Sequence, residues 1–428
     1  MIELLFKNKK FQKRCLYLTI LFLFVPLSGQ NNTNDDFNIA IDSLRSLSKR
    51  SPERGIQFAR EILNKNYSIA EENKSRILNI LGEIYLDLGI PSLALSSFID
   101  AGQKSKSKYN AWNKINIGNV YFQQKDWTES KRKYLDALRI FRGWKNIQPN
   151  NVLGRSVALS NLGRIEMYLK NYDDALVYFK DALNVKRSSA PYKAYLKTRS
   201  ELDKSYLGQG IGVAYQHTLL AKLYTEWGIF DMAVEQLEAS DSLLNYMNQS
   251  IRYKKKQNPT LEYRRETELG INHSIRMRIF AKQNNFPFAH DESKKAKQFL
   301  IGKPFHLVEH YKNEAELFIK QDSLYKSLES IDKGLKECAL NGMSTKEIDL
   351  LQYKVELLKA NNLERSALDF ANTIIEKRKA IAESRMSMLI ESLNYKIQLH
   401  NDKQDLVKAK KRELLIFIIT GSLLIIIG

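Results

Sequence analysis

Two cysteines, eight prolines and nineteen glycines are spread over 428 residues. So few prolines and glycines exclude long disordered linkers. Two cysteines, Cys15 and Cys338, exclude a disulfide framework. Cys15 sits in an N-terminal targeting stretch, which leaves Cys338 as a single thiol on an apolar helix face and a small core residue. Catalytic signatures are missing as well. There is no G-x-S-x-G, no G-x-x-x-x-G-K-[ST] and no paired-cysteine motif. Carboxylates occur mostly as i,i+4 partners of lysine and arginine. The expectation is a protein that is not an enzyme and takes no cofactor.

Negative charge is also scarce. Against 67 lysines and arginines stand 48 acids, a net +19. Lys7, Lys9, Lys10, Lys13 and Arg14 precede the apolar stretch "CLYLTILFLFVPL" and the small, polar "SGQNN". A basic region, a short apolar region and a small residue make a secretory signal, with cleavage expected after Gly29; an uncleaved N-terminal anchor is the alternative. Both readings export the chain. Exclusion from the cytoplasm removes nucleic acid as a partner. It leaves acidic peptides, anionic envelope surfaces, or simply solvated basic helix faces.

What is present is a repeat. Gly82 is followed by Tyr85, Ala94, Phe98 and Ala101, at offsets of 3, 12, 16 and 19. The same offsets give Gly118, Tyr121, Ser130, Tyr134 and Ala137, then Gly163, Glu166, Ala175, Phe179 and Ala182, then Ala221, Tyr224, Ala233, Leu237 and Ser240. Small residues at the first, third and fifth places let two helix backbones approach; large ones fill the gaps. Each unit reads as helix, turn and helix, and neighbours must stack to bury their apolar faces.

These residues resemble the tetratricopeptide repeat family. Later units match more weakly, through Met277, Phe280, Ala289 and Ala296 and through Ala315, Phe318, Ser327 and Ile331. Degenerate units carry Gly55 and Ala59, and Val355 and Ala367. The resemblance implies an all-α superhelical solenoid over 30–380, of about seven to eight units, with first helices lining the concave face. Two spacers, at 184–210 and 245–270, are longer than the family needs and rich in Lys, Arg and Tyr. They are expected to loop out or to extend helices.

The family's inward position falls on Glu83, Asn119, Arg164, Lys222, Arg278 and Glu316. Three consecutive cations suggest a basic ladder for an extended protein or peptide segment bearing carboxylates, or else ordinary solvated charges. The candidate partner-binding groove is Asn119, Arg164, Lys222 and Arg278, with Trp112, Ile115, Phe122 and Tyr215 as apolar companions. One motif points elsewhere: His306, Glu309 and His310 form H-x-x-E-H. Zinc needs a third ligand as well, and the segment opens a helix behind Pro304. Partly exposed polar side chains, not a metal site, are expected.

After Ala367 one long helix is expected, with a stem at 381–412. Met386, Ile390, Leu393 and Ile397 follow a 4-3-4 spacing, which suits either a seam for a parallel homodimer or a cap on the solenoid. The chain closes on an apolar run, placed as a transmembrane helix at 413–428. Fifteen uncharged residues make about 22 Å of helix. A bilayer core needs roughly twenty residues, so the span reads as cut short. The order of parts resembles bacterial membrane-bound regulators, with exported tetratricopeptide repeats, one inner-membrane span and a cytoplasmic output domain. The expectation is the periplasmic sensory part of such a regulator. The alternatives are a membrane-tethered envelope scaffold and a cytoplasmic, tail-anchored adaptor. Lys408, Lys410, Lys411 and Arg412 before the span favour the last.

Overall fold

The computed structural model describes residues 33–427 apart from 66–69, 105–107, 144–148, 190–191, 194–195, 197–203 and 252–258. The expected signal at 1–29 lies outside the described residues. The chain divides into two compact units, Met1–Ser68 and Ile69–Gly428. In the first, α1 (Thr33–Arg50) and α2 (Pro52–Lys65) bury Ile41, Leu44, Ile56 and Ala59.

The second unit is a run of helix pairs, with no strand among the described residues. In chain order these are α3 (Glu71–Asp87) with α4 (Pro91–Lys104), α5 (Lys108–Gln123) with α6 (Trp127–Arg142), and α7 (Pro149–Tyr168) with α8 (Tyr172–Arg187). Then come α9 (Lys204–Trp227) with α10 (Phe230–Ile251), α11 (Pro259–Lys282) with α12 (Phe286–Leu300), and α13 (Pro304–Lys320) with α14 (Leu324–Leu340). The last is α15 (Ser344–Ala360) with α16 (Glu364–Ile427).

The repeated residues explain the pairing. A Cβ on Gly82 would lie 2.5 Å from the Phe98 ring; on Gly118, 2.6 Å from Tyr134; on Gly163, 2.7 Å from Phe179. Each ring therefore packs on bare backbone, and all three rings are buried. The turns are equally uniform. A residue in the left-handed region (Gly89, Lys125, Lys170, Gly228, Asn284, Asp322 or Asn362) ends the first helix. The next amide then donates to the carbonyl five residues back, from Ile90 to Tyr85 at 2.8 Å through to Leu363 to Leu358 at 2.9 Å. This bond closes the helix end and aims the second helix back along the first.

The two long spacers are largely extra helix. α9, α10 and α11 run to 24, 22 and 24 residues, against 14 to 17 in α3 through α6. The added turn of α11 carries a buried two-pronged pair, Arg265 to Glu262, at 2.8 and 3.0 Å. Tyr192 of the first spacer is buried against α8, α9 and α10.

α16 is continuous through 380 and 412, so it serves both as the last second helix and as the stem. One side of it packs against the first pair of the unit. Lys396 Nζ donates to Ser96 Oγ at 2.8 Å and lies 3.9 Å from Asp100, and a Cβ on Gly89 would run into the Arg385 guanidinium. Met386, Ile390, Leu393 and Ile397 lie on the outer side and are 52–59% exposed, so they do not cap the solenoid. Among the described residues no helix is long and apolar enough to cross a membrane; the side chains beyond Ile416 lie outside that description.

Replacing Gly163 by Val should drive two methyl groups into the Phe179 ring. The expected loss is about 1–3 kcal/mol, as for other overpacked cores, read as a lowered urea midpoint. An unchanged midpoint would show that this close approach is not what holds the pair.

Candidate binding groove

The first helices α3, α5, α7, α9, α11 and α13 are tied to one another by side-chain hydrogen bonds. Asn116 donates to Asn79 at 3.2 Å, Asn161 to Asn119 at 3.2 Å, Ser160 to Gln216 at 3.0 Å and Thr218 to Asn272 at 2.8 Å. Ser274 Oγ meets His310 Nδ1 at 3.0 Å. These bonds satisfy polar groups that would otherwise be buried unpaired, and they fix the helices in register. Residues one helical turn apart then share one face.

Arg164, Tyr215, Lys222 and Arg278 are brought together on that face. The Arg164 guanidinium lies 5.1 Å from the centre of the Phe122 ring. Phe122 packs edge-on to Trp127 and Tyr168, which stack on each other at 5.7 Å. Burial lowers the Lys222 ammonium from its ordinary value; Glu268 opposes this, while Arg164 and Arg278 reinforce it. Burial likewise raises the Tyr215 phenol, which sits between Arg164 and Glu268. Arg278 is neutralised by Glu226 at 2.8 Å, with Glu316 at 3.9 Å. Neither Arg164 nor Lys222 makes an ion pair among the described residues.

The other expected groove residues do different work. Asn119 is committed to structure, since its Oδ1 accepts from Tyr134 at 2.8 Å and from Asn161. Trp112 packs edge-on to Phe141 at 6.0 Å. Ile115 is not a groove residue: it is 1% exposed in the core between α5, α6 and α7. In H-x-x-E-H, His310 is fully buried rather than partly exposed, with its second nitrogen 3.2 Å from Ser293 Oγ. Glu309 pairs with Lys346. Burial, Lys222 and Lys346 push His306 down to about 4.

Sequence reasoning missed Glu268 and Arg264, because both lie in the spacer. Burial raises the Glu268 carboxyl to about 7, against the pull of Lys222 and Arg264, and its Oε2 is buried without a hydrogen bond. The groove therefore holds an excess of cations around one carboxyl poised near neutrality. A cleft of about 570 Å³ lies beside them; its lining includes Lys125 and Tyr168 on one side and Glu309, Lys312, Lys346 and Tyr353 on the other. A second cleft, of about 830 Å³, lies between α8, α9, α10 and Tyr192 and holds none of the converging charges.

Residues 108–188 match the tetratricopeptide repeat family. Residues 108–188 therefore carry tetratricopeptide repeats. The solved Rap protein complexed with Competence and Sporulation Factor is 14% identical with a TM-score of 0.54, covering 83% of this chain and 90% of that one. Aspartyl phosphate phosphatase F from Bacillus subtilis is 11% identical at a TM-score of 0.48, covering 80% and 94%. NprR in complex with its cognate peptide NprX is 13% identical at 0.46, covering 84% and 99%. No curated protein matches the sequence. At such identities the likeness to Rap is one of fold: tetratricopeptide-like helical pairs, a protein-binding architecture.

The raised Glu268 carboxyl sets a pH dependence. Between its ordinary 4.5 and about 7 the folded chain holds a proton that the unfolded chain has released, so stability falls as pH rises through that window. Glu268→Gln should flatten this part of the stability curve, measured by urea unfolding at several pH values. An unaltered curve would place the carboxyl in ordinary solvent.

Proposed function

We propose that this chain is a membrane-tethered, exported binding module that captures an extended protein or peptide segment bearing carboxylates. The observation that carries this reading is the pair of cations, Arg164 and Lys222, that face the groove without ion-pair partners beside the exposed Tyr168 ring. Carboxylates of a ligand would form charge-assisted hydrogen bonds there, in surroundings that screen them poorly. The tyrosine and phenylalanine rings supply flat apolar contact.

Binding of an oligo-glutamate peptide tests this directly. Arg164→Glu combined with Lys222→Glu should weaken it by about tenfold or more, the factor that 1.4 kcal/mol represents. Equal binding by the double variant, or equal binding of oligo-lysine by the native chain, would sink the acidic-segment reading.

Export is supported by the basic and apolar N-terminal stretch, and tethering by the apolar run from Leu414. α16 gives the groove a physical link to that run, which supports a sensory role. Its outer apolar stripe, at 4-3-4 spacing, is offered to a second copy, because the inner side is already in contact with α4 and the α3–α4 turn. A second reading, a tail-anchored adaptor on the cytoplasmic side, is favoured by Lys408, Lys410, Lys411 and Arg412 before the run. The detergent-extracted chain should begin at Gln30 and run as a dimer. Repeats shielded from protease in spheroplasts would favour the adaptor, and a monomeric mass would remove the seam.

A further inference from the structure

The repeat places one more position under the same rule. Seven residues beyond the fourth repeat position (Tyr134, Phe179, Leu237, Ser293 and Ile331) come Phe141, Lys186, Leu244, Leu300 and Cys338. Their exposures are 0%, 7%, 0%, 1% and 1%. All five belong to the core at the ends of second helices, and four are apolar. The fifth is a lysine.

Lys186 occupies its place much as Phe141 does one pair earlier. The Phe141 ring lies on Gly154 of the following first helix, and a Cβ added there would strike it. The Lys186 side chain lies on Gly212 of α9, where a Cβ would come 3.2 Å from Nζ. The glycine that admits a ring in one pair admits an ammonium in the next. No carboxylate pairs with Lys186 among the described residues. The charge acting on it is that of Arg264, exposed on α11 and of the same sign. The acids flanking Arg264 are committed elsewhere, Glu262 to Arg265 and Glu266 to Lys303. Glu268 stands between Arg264 and Lys222.

A buried ammonium with a guanidinium for a neighbour and no counter-charge is costly, and a leucine, as at Leu244, would remove the cost. The arrangement makes physical sense when an anion completes it. We propose that Lys186 and Arg264 form an oxyanion-binding subsite that takes a carboxylate or phosphate group. The source of the anion rests on the groove reading above: an acidic side chain of a captured segment, or free phosphate. The subsite itself does not depend on that reading.

The test is urea unfolding of the full chain in detergent, with inorganic phosphate titrated at constant ionic strength, for the native chain, Lys186→Leu and Lys336→Met, a change at an exposed lysine of α14. An anion that binds only the folded chain lowers the unfolding constant by 1 + [L]/Kd, about elevenfold at ten times Kd. The native chain and Lys336→Met should show this response. Lys186→Leu should be no less stable without phosphate and should not respond to it. Oligo-glutamate in place of phosphate separates the sources. A response to both that Lys186→Leu abolishes assigns the subsite to an acidic group of the captured segment. A response to phosphate alone assigns it to the free anion and leaves the subsite standing even if the groove reading has failed. No response of the native chain to either probe, or an undiminished response in Lys186→Leu, overturns the proposal.

Discussion

The close approach of the two helices in each pair is the contact on which the rest is built. At Gly82, Gly118 and Gly163 an aromatic ring lies where a β-carbon would otherwise be. Interdigitation at that depth fixes the crossing of the pair far more tightly than an area of loosely matched apolar surface could. The turn reinforces it, because the left-handed residue and the amide bond to the carbonyl five residues back permit one exit direction. With each pair rigid, the remaining freedom is how one pair sits on the next. Asparagine, serine and threonine side chains restrict it by bonding each first helix to the one after it.

That stacking has an electrostatic consequence. Identical spacing puts equivalent residues of successive first helices side by side, and neighbouring helices lie only about 8–10 Å apart. Charges at those positions cannot avoid one another. The fold compensates unevenly. Arg278 is matched by Glu226 and Glu316, and Lys303 by Glu266. Arg164 has an aromatic face instead of a carboxylate, and Lys222 has Glu268 and Glu309 acting on it without an ion pair. Full neutralisation would have been simple on helices that carry so many glutamates. The charge left over stays on the groove face, a distribution that costs stability.

The repeat and the inward cations were legible in the sequence because they depend on spacing within one helix or one pair. Gly163 with Phe179 follows from offsets alone, and Arg164 with Lys222 from the inward position that the family resemblance implies. Three kinds of feature were not legible. The spacers broke the register, so Arg264 and Glu268 could not be aligned with the helices before them. The inward rule does not distinguish a side chain that faces the groove from one used in stacking, which is why Asn119, Ile115 and Trp112 were read as lining. Lys186 sits on a second helix, and its place in the core becomes visible only when the fourth repeat position is followed seven residues further in the five pairs from α5–α6 to α13–α14. Contacts such as Lys396 with Ser96, three hundred residues apart, have no local signal at all.

Those distant contacts bear on how occupancy of the groove could be felt elsewhere. α16 is packed on α15 at one end of the unit and touches α4 and the α3–α4 turn at the other. Any change in the spacing of the pairs between them must alter one of those two contacts. The contact with α4 is the softer. It consists of an exposed lysine bonded to a serine hydroxyl and an arginine whose Nε is buried without a hydrogen-bond partner. Core contacts such as Ala367 and Ile374 against Leu351 and Leu358 are far costlier to break. Strain introduced in the groove would therefore release the α4 side of α16 first, while the helix stayed anchored to α15. A ligand produces that shift only to the extent that it prefers the released arrangement; tight binding without preference would leave α16 where it is.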